Sequence, residues 1–208
     1  MRPFTWLMAI GLIGSTSRII NFDTAPLGRV PPGWTVAMTN RGAAPQWEIR
    51  RDLSAPTQPY VLAQVSTDPT GNRFPLAILD SVQFRDGDVS VRLKPVAGRQ
   101  DEAGGVVFRY IDANNYYVAR ANALQGNVAL FKVENGERTQ IAVARHDLSL
   151  NAWQILKVSV RGARMQVYLD HRRILQSWDA TFSGPGKVGL WTVGDSVTYF
   201  DDFRVNTR

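Results

Sequence analysis

Hydrophobic and polar residues alternate with a period of two over many short segments of this chain. The clearest case is residues 88–96, where Val89, Val91 and Leu93 fall on one face and polar side chains fall on the other. A strand with this alternation has one face in a core and the other in solvent. The segments WQILKVSV and RMQVYLD show the same alternation on either side of a short Arg-Gly-Ala turn. This arrangement predicts a β-hairpin.

Further segments with strand character follow along the chain, separated by turn sequences such as PPG, DPTGN, RDGD, DANN, ENGE and SGPG. They are residues 19–23, 34–38, 47–51, 61–64, 76–80, 106–111, 116–122, 128–133, 139–143, 173–178, 187–192 and 197–205. Roughly fourteen strands, spaced roughly 8–14 residues apart, with no sustained helical periodicity, predict an all-β fold of two packed antiparallel sheets. A chain of 208 residues fits one such domain.

The N-terminal residues have the pattern of a secretory signal peptide. Arg2 precedes an apolar stretch at residues 4–14, and the small residues Ser15 and Ser17 precede the predicted cleavage point. We therefore predict a signal peptide over residues 1–17, a single domain over residues 18–208, and a secreted or periplasmic location. The alternative for the first segment is a buried strand. No other segment approaches the ~20 apolar residues of a membrane span, so we expect no stable span after cleavage.

The composition is that of a folded domain, and it excludes some classes of partner and site. Hydrophobic residues make up 44% of the chain and charged residues 20%, which is enough apolar material for a core. The net charge is +6, but the basic residues are scattered, with adjacent pairs only at residues 50–51 and 172–173. We therefore predict no nucleic-acid partner. The absence of cysteine excludes disulfides, thiolate metal sites and a cysteine nucleophile.

Five segments carry a resemblance to a known group of proteins: GGVVFRYIDANNYYVARANAL, ALFKVENGER, AWQILKVSVRG, MQVYLD and GKVGLWTVGDSVTYFDDFRV. Together they resemble the concanavalin A-like lectin and glucanase superfamily. Within that superfamily the chain is similar to the laminin G-like and 3-keto-disaccharide hydrolase-like jelly-roll domains of exported bacterial proteins. The resemblance implies a jelly-roll β-sandwich in which one sheet has a concave outer face. It also implies sugar binding on that face, as in many members, and a structural calcium, as in some.

The hairpin around residues 112–115 provides candidate ligand-binding side chains. If Ile111 opposes Tyr116, then Arg109 and Arg120 project from the same side of the sheet, while the neighbouring aromatic side chains enter the core. A slip of one residue in this register would exchange the two sides.

Guanidinium and amide groups suit sugar hydroxyls or a uronate carboxylate, and tryptophan offers a stacking surface with a polar tip. We expect Arg92 to add a guanidinium from a neighbouring strand and Asn122 to extend the polar line. The predicted glycan-binding residues are Arg92, Arg109, Arg120, Asn122, Trp178 and Trp191. The alternative is that the arginines are solvated strand positions whose stems cover apolar neighbours.

Catalytic residues cannot be assigned from the sequence. Glycoside hydrolysis generally uses two facing carboxyl groups, and no such pair falls on one strand. The acidic E-x-D-x-E strand of family 16 glucanases is absent, and most aspartates stand in turns. The sequence therefore leaves catalytic activity open but favours a protein that is not an enzyme.

A structural calcium would need several converging oxygen ligands. Asp23 and Asp201 lie on the first and last strands, which are often neighbours in jelly rolls, and could supply two carboxylates. Hydrogen bonding to backbone at a sheet edge is the simpler alternative.

Three functions are consistent with these patterns. The first is an exported carbohydrate-binding, lectin-like or adhesion module with a glycan groove on the concave sheet. The second is a glycoside hydrolase or lyase of the 3-keto-disaccharide hydrolase-like type. The third is a structural surface protein that self-associates.

Overall fold

The computed structural model describes residues 17–208, in which all regular structure is β. The predicted signal peptide, apart from Ser17, lies outside the described residues. The strands are β1 (Ser17–Ile20), β2 (Trp34–Thr39), β3 (Trp47–Arg51), β4 (Tyr60–Gln64), β5 (Phe74–Phe84), β6 (Gly87–Ala97), β7 (Ala103–Asp112), β8 (Asn115–Asn122), β9 (Asn127–Glu134), β10 (Glu137–Arg145), β11 (Gln154–Arg161), β12 (Arg164–Leu169), β13 (Arg172–Trp178), β14 (Gly186–Trp191) and β15 (Val197–Thr207). In this range no helix could span a membrane.

The strands form two antiparallel sheets. The eight-stranded sheet has the order β13-β12-β11-β6-β15-β4-β3, and β1 pairs with β15. The seven-stranded sheet has the order β10-β9-β8-β7-β14-β5-β2. The predicted all-β, two-sheet antiparallel sandwich is confirmed.

The main core lies between the sheets and follows the alternation seen in the sequence. Val89, Val91 and Leu93 of β6 are each at most 1% exposed and face this core. The predicted hairpin is formed by β11 and β12, with Arg161 opposite Arg164. Burial of alternate side chains on facing sheets is the main stabilising contribution in a sandwich.

The seven-stranded sheet is strongly curled about its outer face. Strands β10 and β5 are five steps apart, which in a flat sheet would separate them by about 24 Å, at about 4.8 Å per step. Yet the guanidinium carbon of Arg138 in β10 lies 4.9 Å from the ring centre of Phe74 in β5. Asn40, after β2, also donates from Nδ2 to the carbonyl of Gly136 at 3.1 Å. The sheet therefore twists and curls until opposite corners meet.

A second apolar cluster fills the concave face inside this curl. Its members include Leu76, Val118, Phe131 and Trp191, and they lie on the side of the sheet that faces away from the main core. Trp191 has no exposed surface. The middle of the concave face is therefore packed with apolar side chains, and polar side chains concentrate towards its ends.

The hairpin of β7 and β8 contains a bulge that the sequence did not reveal. Phe108 pairs with Tyr117 and Asp112 pairs with Asn115, so the strand β7 holds two extra residues between these pairs. Arg109 lies in the bulge with a left-handed backbone, at φ 48°. The prediction that Arg109 projects beside Arg120 is wrong, because the bulge turns its side chain towards the edge between the two sheets.

Candidate functional site

An open cleft lies where the two corners of the curled sheet meet. It has a volume of about 750 Å³ and is lined by residues 40–41, 70–72, Phe74 and residues 135–139. Its walls are the ends of β2 and β5 on one side and the β9–β10 hairpin on the other. We call it the corner cleft. Its size is in the range of small-molecule sites, and its lining is rich in amide, hydroxyl and guanidinium groups.

Arg138 is the most unusual side chain in the corner cleft. Its guanidinium carbon lies 4.9 Å from the ring centre of Phe74, 4.8 Å from that of Phe131 and 5.9 Å from that of Trp191. Burial lowers the pKa of this guanidinium. One terminal nitrogen, Nη1, is buried without a hydrogen-bond partner among residues 17–208. The aromatic faces stabilise the charge but offer Nη1 no acceptor. The side chain as a whole is only half-buried and lines the cleft, where a ligand can reach its exposed part.

Local sequence places Arg138 at the cleft. Asn135 and Gly136 form a two-residue hairpin turn with φ values of 53° and 83°, and Glu134 pairs with Glu137 on either side. Asn-Gly is the dipeptide that such turns favour, since both residues tolerate positive φ. The backbone N–H of Gly136 donates to the carbonyl of Asn114 at 3.0 Å. This bond fixes the β9–β10 turn, and with it Arg138, against the neighbouring hairpin.

A second polar cluster shares the ring of Phe131 with Arg138. The guanidinium carbon of Arg120 lies 5.3 Å from this ring centre, and Arg120 donates to the side chains of Gln125, at 3.2 Å, and Asn127. Burial, with repulsion from Arg138, lowers the pKa of Arg120 to about 10. Its Nε is buried without a partner in the part of the chain described.

Asn122 extends this cluster towards the end of β8. Its Nδ2 donates to Asp101 at 2.7 Å, and Gln125 donates to the same carboxylate oxygen at 3.1 Å. Burial raises the pKa of Asp101. Two guanidiniums, one carboxylate and several amides are thus held around the aromatic floor of the concave face.

The structure brings together three of the six predicted glycan-binding residues. Arg120, Asn122 and Trp191 all lie on the concave face of the seven-stranded sheet. Trp191 and Arg120 occupy one row across the sheet, on either side of Gly105.

The other three predicted residues lie elsewhere. Arg92 belongs to the eight-stranded sheet, where its Nε lies 3.1 Å from Asp202. The expectation that Arg92 comes from a strand next to Arg120 is wrong, because β6 and β8 are in different sheets. Trp178, 61% exposed, ends the edge strand β13.

Arg109 is buried, and its guanidinium links the two sheets by hydrogen bonds. It donates from Nε to the carbonyl of Arg85 at 2.9 Å and from its terminal nitrogens to the carbonyls of Phe182, at 2.8 Å, and Gly162, at 2.7 Å. It also forms an ion pair with Asp86 at 3.3 Å. Burial lowers the pKa of Arg109. Its donors are used within the protein, so its contacts stabilise the fold.

The carboxylates considered for calcium are hydrogen-bonded to the protein. Thr57 donates to Asp201 from its backbone N–H at 2.8 Å and from its hydroxyl at 2.9 Å, and the N–H of Tyr60 donates to Asp23 at 3.1 Å. Burial raises the pKa of Asp201. Within residues 17–208, no three histidine or acidic side chains converge to hold a metal ion. The pair does not fit a calcium site, which needs more oxygen ligands, and calcium binding stays a prediction.

Sequence reasoning missed Arg138, Phe74 and Asn40. The turn ENGE was recognised, but the contact between Arg138 and Phe74 spans 64 positions and depends on the curl of the whole sheet. Strand periodicity carries no signal for such curvature.

Comparison with known proteins supports the fold. No protein-family profile matches this chain. The chain is 31% identical over 134 residues to a levanase of Bacillus subtilis, a match that covers 64% of this chain and 19% of the levanase. The chain therefore spans about a fifth of the length of that relative.

Two solved structures resemble the whole sandwich. The carbohydrate-binding module CBM66 from Bacillus subtilis is 25% identical, with a TM-score of 0.65 over 88% of this chain and 99% of that chain. A β-glucanase of Bacillus licheniformis is 13% identical, with a TM-score of 0.60 over 95% of this chain and 99% of that chain. These are jelly-roll folds, and the fold resemblance predicted from the sequence is confirmed.

Proposed function

We propose that this chain, a concanavalin A-like jelly-roll sandwich, is a carbohydrate-binding module that holds a glycan in its corner cleft. The observation that carries the proposal is the guanidinium of Arg138, held over three aromatic rings with a donor that no described residue uses. The CBM66 structure, which aligns with this chain over 99% of its own length, is named a carbohydrate-binding module. The similarity of fold and the position of Arg138 in the cleft thus both support carbohydrate binding.

The chemistry of the cleft suits sugar hydroxyls. A guanidinium can donate two parallel hydrogen bonds to neighbouring oxygen atoms. Glu137, which is exposed at the rim, can accept hydrogen bonds from hydroxyl groups, and the side chain of Thr139 can do both. The ring of Phe74 adds an apolar surface beside these groups. An apolar floor with a few polar groups is typical of small-ligand sites.

The first glycans to test are fructans. The levanase relative is named for an activity on levan, and this chain matches one segment of it. A module of this kind would keep an enzyme or a cell near its polysaccharide. We also propose that the protein is exported, on the pattern of residues 1–17, and sequencing of the N-terminus of the mature protein tests this.

Catalysis is not part of the proposal. Within the described residues, Glu137 is the one carboxylate that lines the corner cleft. Glycoside hydrolysis generally uses two carboxyl groups that face the scissile bond. The arrangement therefore favours binding over hydrolysis.

A glycan array followed by calorimetric titration tests the proposed function. We expect the protein to bind at least one glycan, and we expect Arg138→Gln to weaken that binding by about tenfold or more, since a charge-assisted hydrogen bond is lost. Arg145→Gln is the matched control, because Arg145 lies exposed on the same strand outside the cleft. No bound glycan, or equal losses in both variants, would refute the proposal.

A further inference from the structure

The outer face of the eight-stranded sheet carries a compact pocket that the proposed function does not use. It has a volume of about 180 Å³, and its lining includes Arg92, Lys157, Tyr168, His171, Asp202 and Arg204. These residues come from β6, β11, β15 and the β12–β13 hairpin, which are neighbours in the sheet. We call it the basic pocket. Outward side chains from four adjacent strands thus converge on one point.

Positive charge exceeds negative charge in the basic pocket. Asp202 is the carboxylate among its lining residues, and it is nearly buried, with 6% of its side chain exposed. Arg92 and Arg204 share one oxygen of this carboxylate, at 3.1 Å and 3.5 Å. Lys157 adds a third cation, with Nζ 4.3 Å from the ring centre of Tyr168. Three cations therefore face one carboxylate.

Most donors of these cations are free. A guanidinium has five N–H groups. Within residues 17–208, Asp202 is the only acidic partner of Arg92 and Arg204, and Lys157 forms no ion pair. Arg92 and Arg204 keep 38% and 46% of their side chains exposed, so a ligand can reach them.

Unusual backbone conformations shape the pocket. Asp170 and His171 form the two-residue turn between β12 and β13, with φ values of 45° and 68°, and Asp202 has a φ of 49° at a bulge in β15. Such turns favour Asn-Gly, whereas this one has Asp-His. Left-handed backbone at residues other than glycine costs free energy and often marks a functional site. Here it brings His171 and Asp202 into the pocket.

We infer that the basic pocket binds a compact oxyanion, of which a phosphate group is the best match. A phosphate group offers oxygen atoms in several directions, and the two guanidiniums and the ammonium approach the pocket from three strands. Guanidiniums bind phosphate through paired hydrogen bonds, and an ammonium adds a point charge. The pocket lies on the sheet opposite the corner cleft. A phosphate ligand and a glycan would therefore occupy different faces of the sandwich.

NMR titration with inorganic phosphate, at constant ionic strength set with chloride, tests this inference. We expect saturable shifts of backbone amides near residues 90–92, 155–157, 168–171 and 202–204. Glucose, which is neutral, should leave these amides unchanged. The double variant Arg92→Gln, Arg204→Gln should bind phosphate at least about tenfold more weakly, since charge-assisted hydrogen bonds are lost.

Two further variants sharpen the test. Asp202→Asn should bind phosphate more tightly, because it removes the carboxylate that competes for both guanidiniums, and asparagine tolerates the left-handed backbone. Arg172→Gln changes an exposed arginine of the same hairpin, outside the pocket lining, and should have no effect.

The absence of saturable shifts with phosphate would overturn the inference. Equal affinity in the double variant would do the same, as would weaker binding by Asp202→Asn. If the double variant is unfolded, the Asp202→Asn result decides. Glycan binding by the corner cleft is tested separately, with the variant Arg138→Gln. Failure of the phosphate inference can therefore be told apart from failure of the proposed glycan binding.

Discussion

At the scale of single residues, a buried arginine and a half-buried arginine of this protein have different roles. Arg109 gives its donors to backbone carbonyls and a carboxylate at the edge of the sandwich. Arg138 lies over aromatic rings and has a buried nitrogen without an acceptor among the described residues. A buried donor without a partner costs free energy. We therefore assign a stabilising role to Arg109 and a binding role to Arg138.

Arg109→Gln should destabilise the fold strongly. Glutamine cannot replace the contacts of the guanidinium, and it would leave buried carbonyl groups without donors. We expect a loss of about 3 kcal/mol in the free energy of unfolding, measured by urea denaturation. Arg164→Gln, an exposed arginine of β12, serves as the control and should change the free energy little. A loss below about 1 kcal/mol for Arg109→Gln would contradict the assigned role.

At the scale of elements, the β9–β10 hairpin turn connects stability to the corner cleft. Gly136 has a φ of 83°, and a Cβ at this position would lie 3.1 Å from the side-chain oxygen of Asn40. Gly162, in the β11–β12 turn, has a φ of 56° and open space around it. The two glycines thus have a similar backbone requirement but different surroundings.

Gly136→Ala and Gly162→Ala form a matched pair. Each should cost about 1 kcal/mol of unfolding free energy, because alanine is strained at positive φ. Only Gly136→Ala should also weaken glycan binding, since it disturbs the contact with Asn40 next to Arg138. Urea denaturation and calorimetric titration of both variants check this. Equal glycan affinity in the two variants would show that the turn does not position the site.

The loops beside the cleft depend on a carboxylate. Asp68 accepts hydrogen bonds from the N–H of Ala43 and from the N–H and hydroxyl of Thr70, the latter at 2.7 Å, and it lies 3.8 Å from Arg73. These hydrogen bonds lower the pKa of Asp68 to about 2, and the bond from the Thr70 hydroxyl has the largest effect. The carboxylate thus links the loop after β2 to the loop before β5.

The effect of Asp68→Asn on thermal stability should depend on pH. A lowered folded-state pKa contributes stability above the unfolded pKa of about 3.9, and this contribution is lost as the pH falls through the folded-state pKa of about 2. The variant should therefore melt at a lower temperature than the wild type near pH 7. The difference should shrink below about pH 4 and vanish only once the pH is well below about 2. Asp147→Asn, at an exposed position, is the control. A difference as large at pH 2 as at pH 7 would contradict this role.

The comparison of sequence and structure is clearest at this scale. Period-two alternation in segments such as 88–96 was enough to predict the strands and their buried faces, because alternation follows directly from strand geometry. The bulge at Arg109 was not predictable, because nothing in the local pattern marks two extra residues. Arg120, Asn122 and Trp191 were placed on one face, whereas the partners of Arg138 depended on curvature built up over several strands.

At the scale of the whole molecule, the two sheets offer two different surfaces. The seven-stranded sheet curls around an aromatic floor and opens at the corner cleft, while the eight-stranded sheet presents the basic pocket on its opposite face. Both sheets pack on the same main core, so the two surfaces belong to one folded domain. A single fold can thus carry sites of different chemistry, since function depends on the side chains of each site.

The most direct measurement is a crystal structure of the protein with the glycan that binds most tightly on the array. The account predicts a sugar in the corner cleft, with its oxygen atoms within hydrogen-bond distance of the guanidinium of Arg138. A sugar bound elsewhere, with the corner cleft free of glycan, would contradict it.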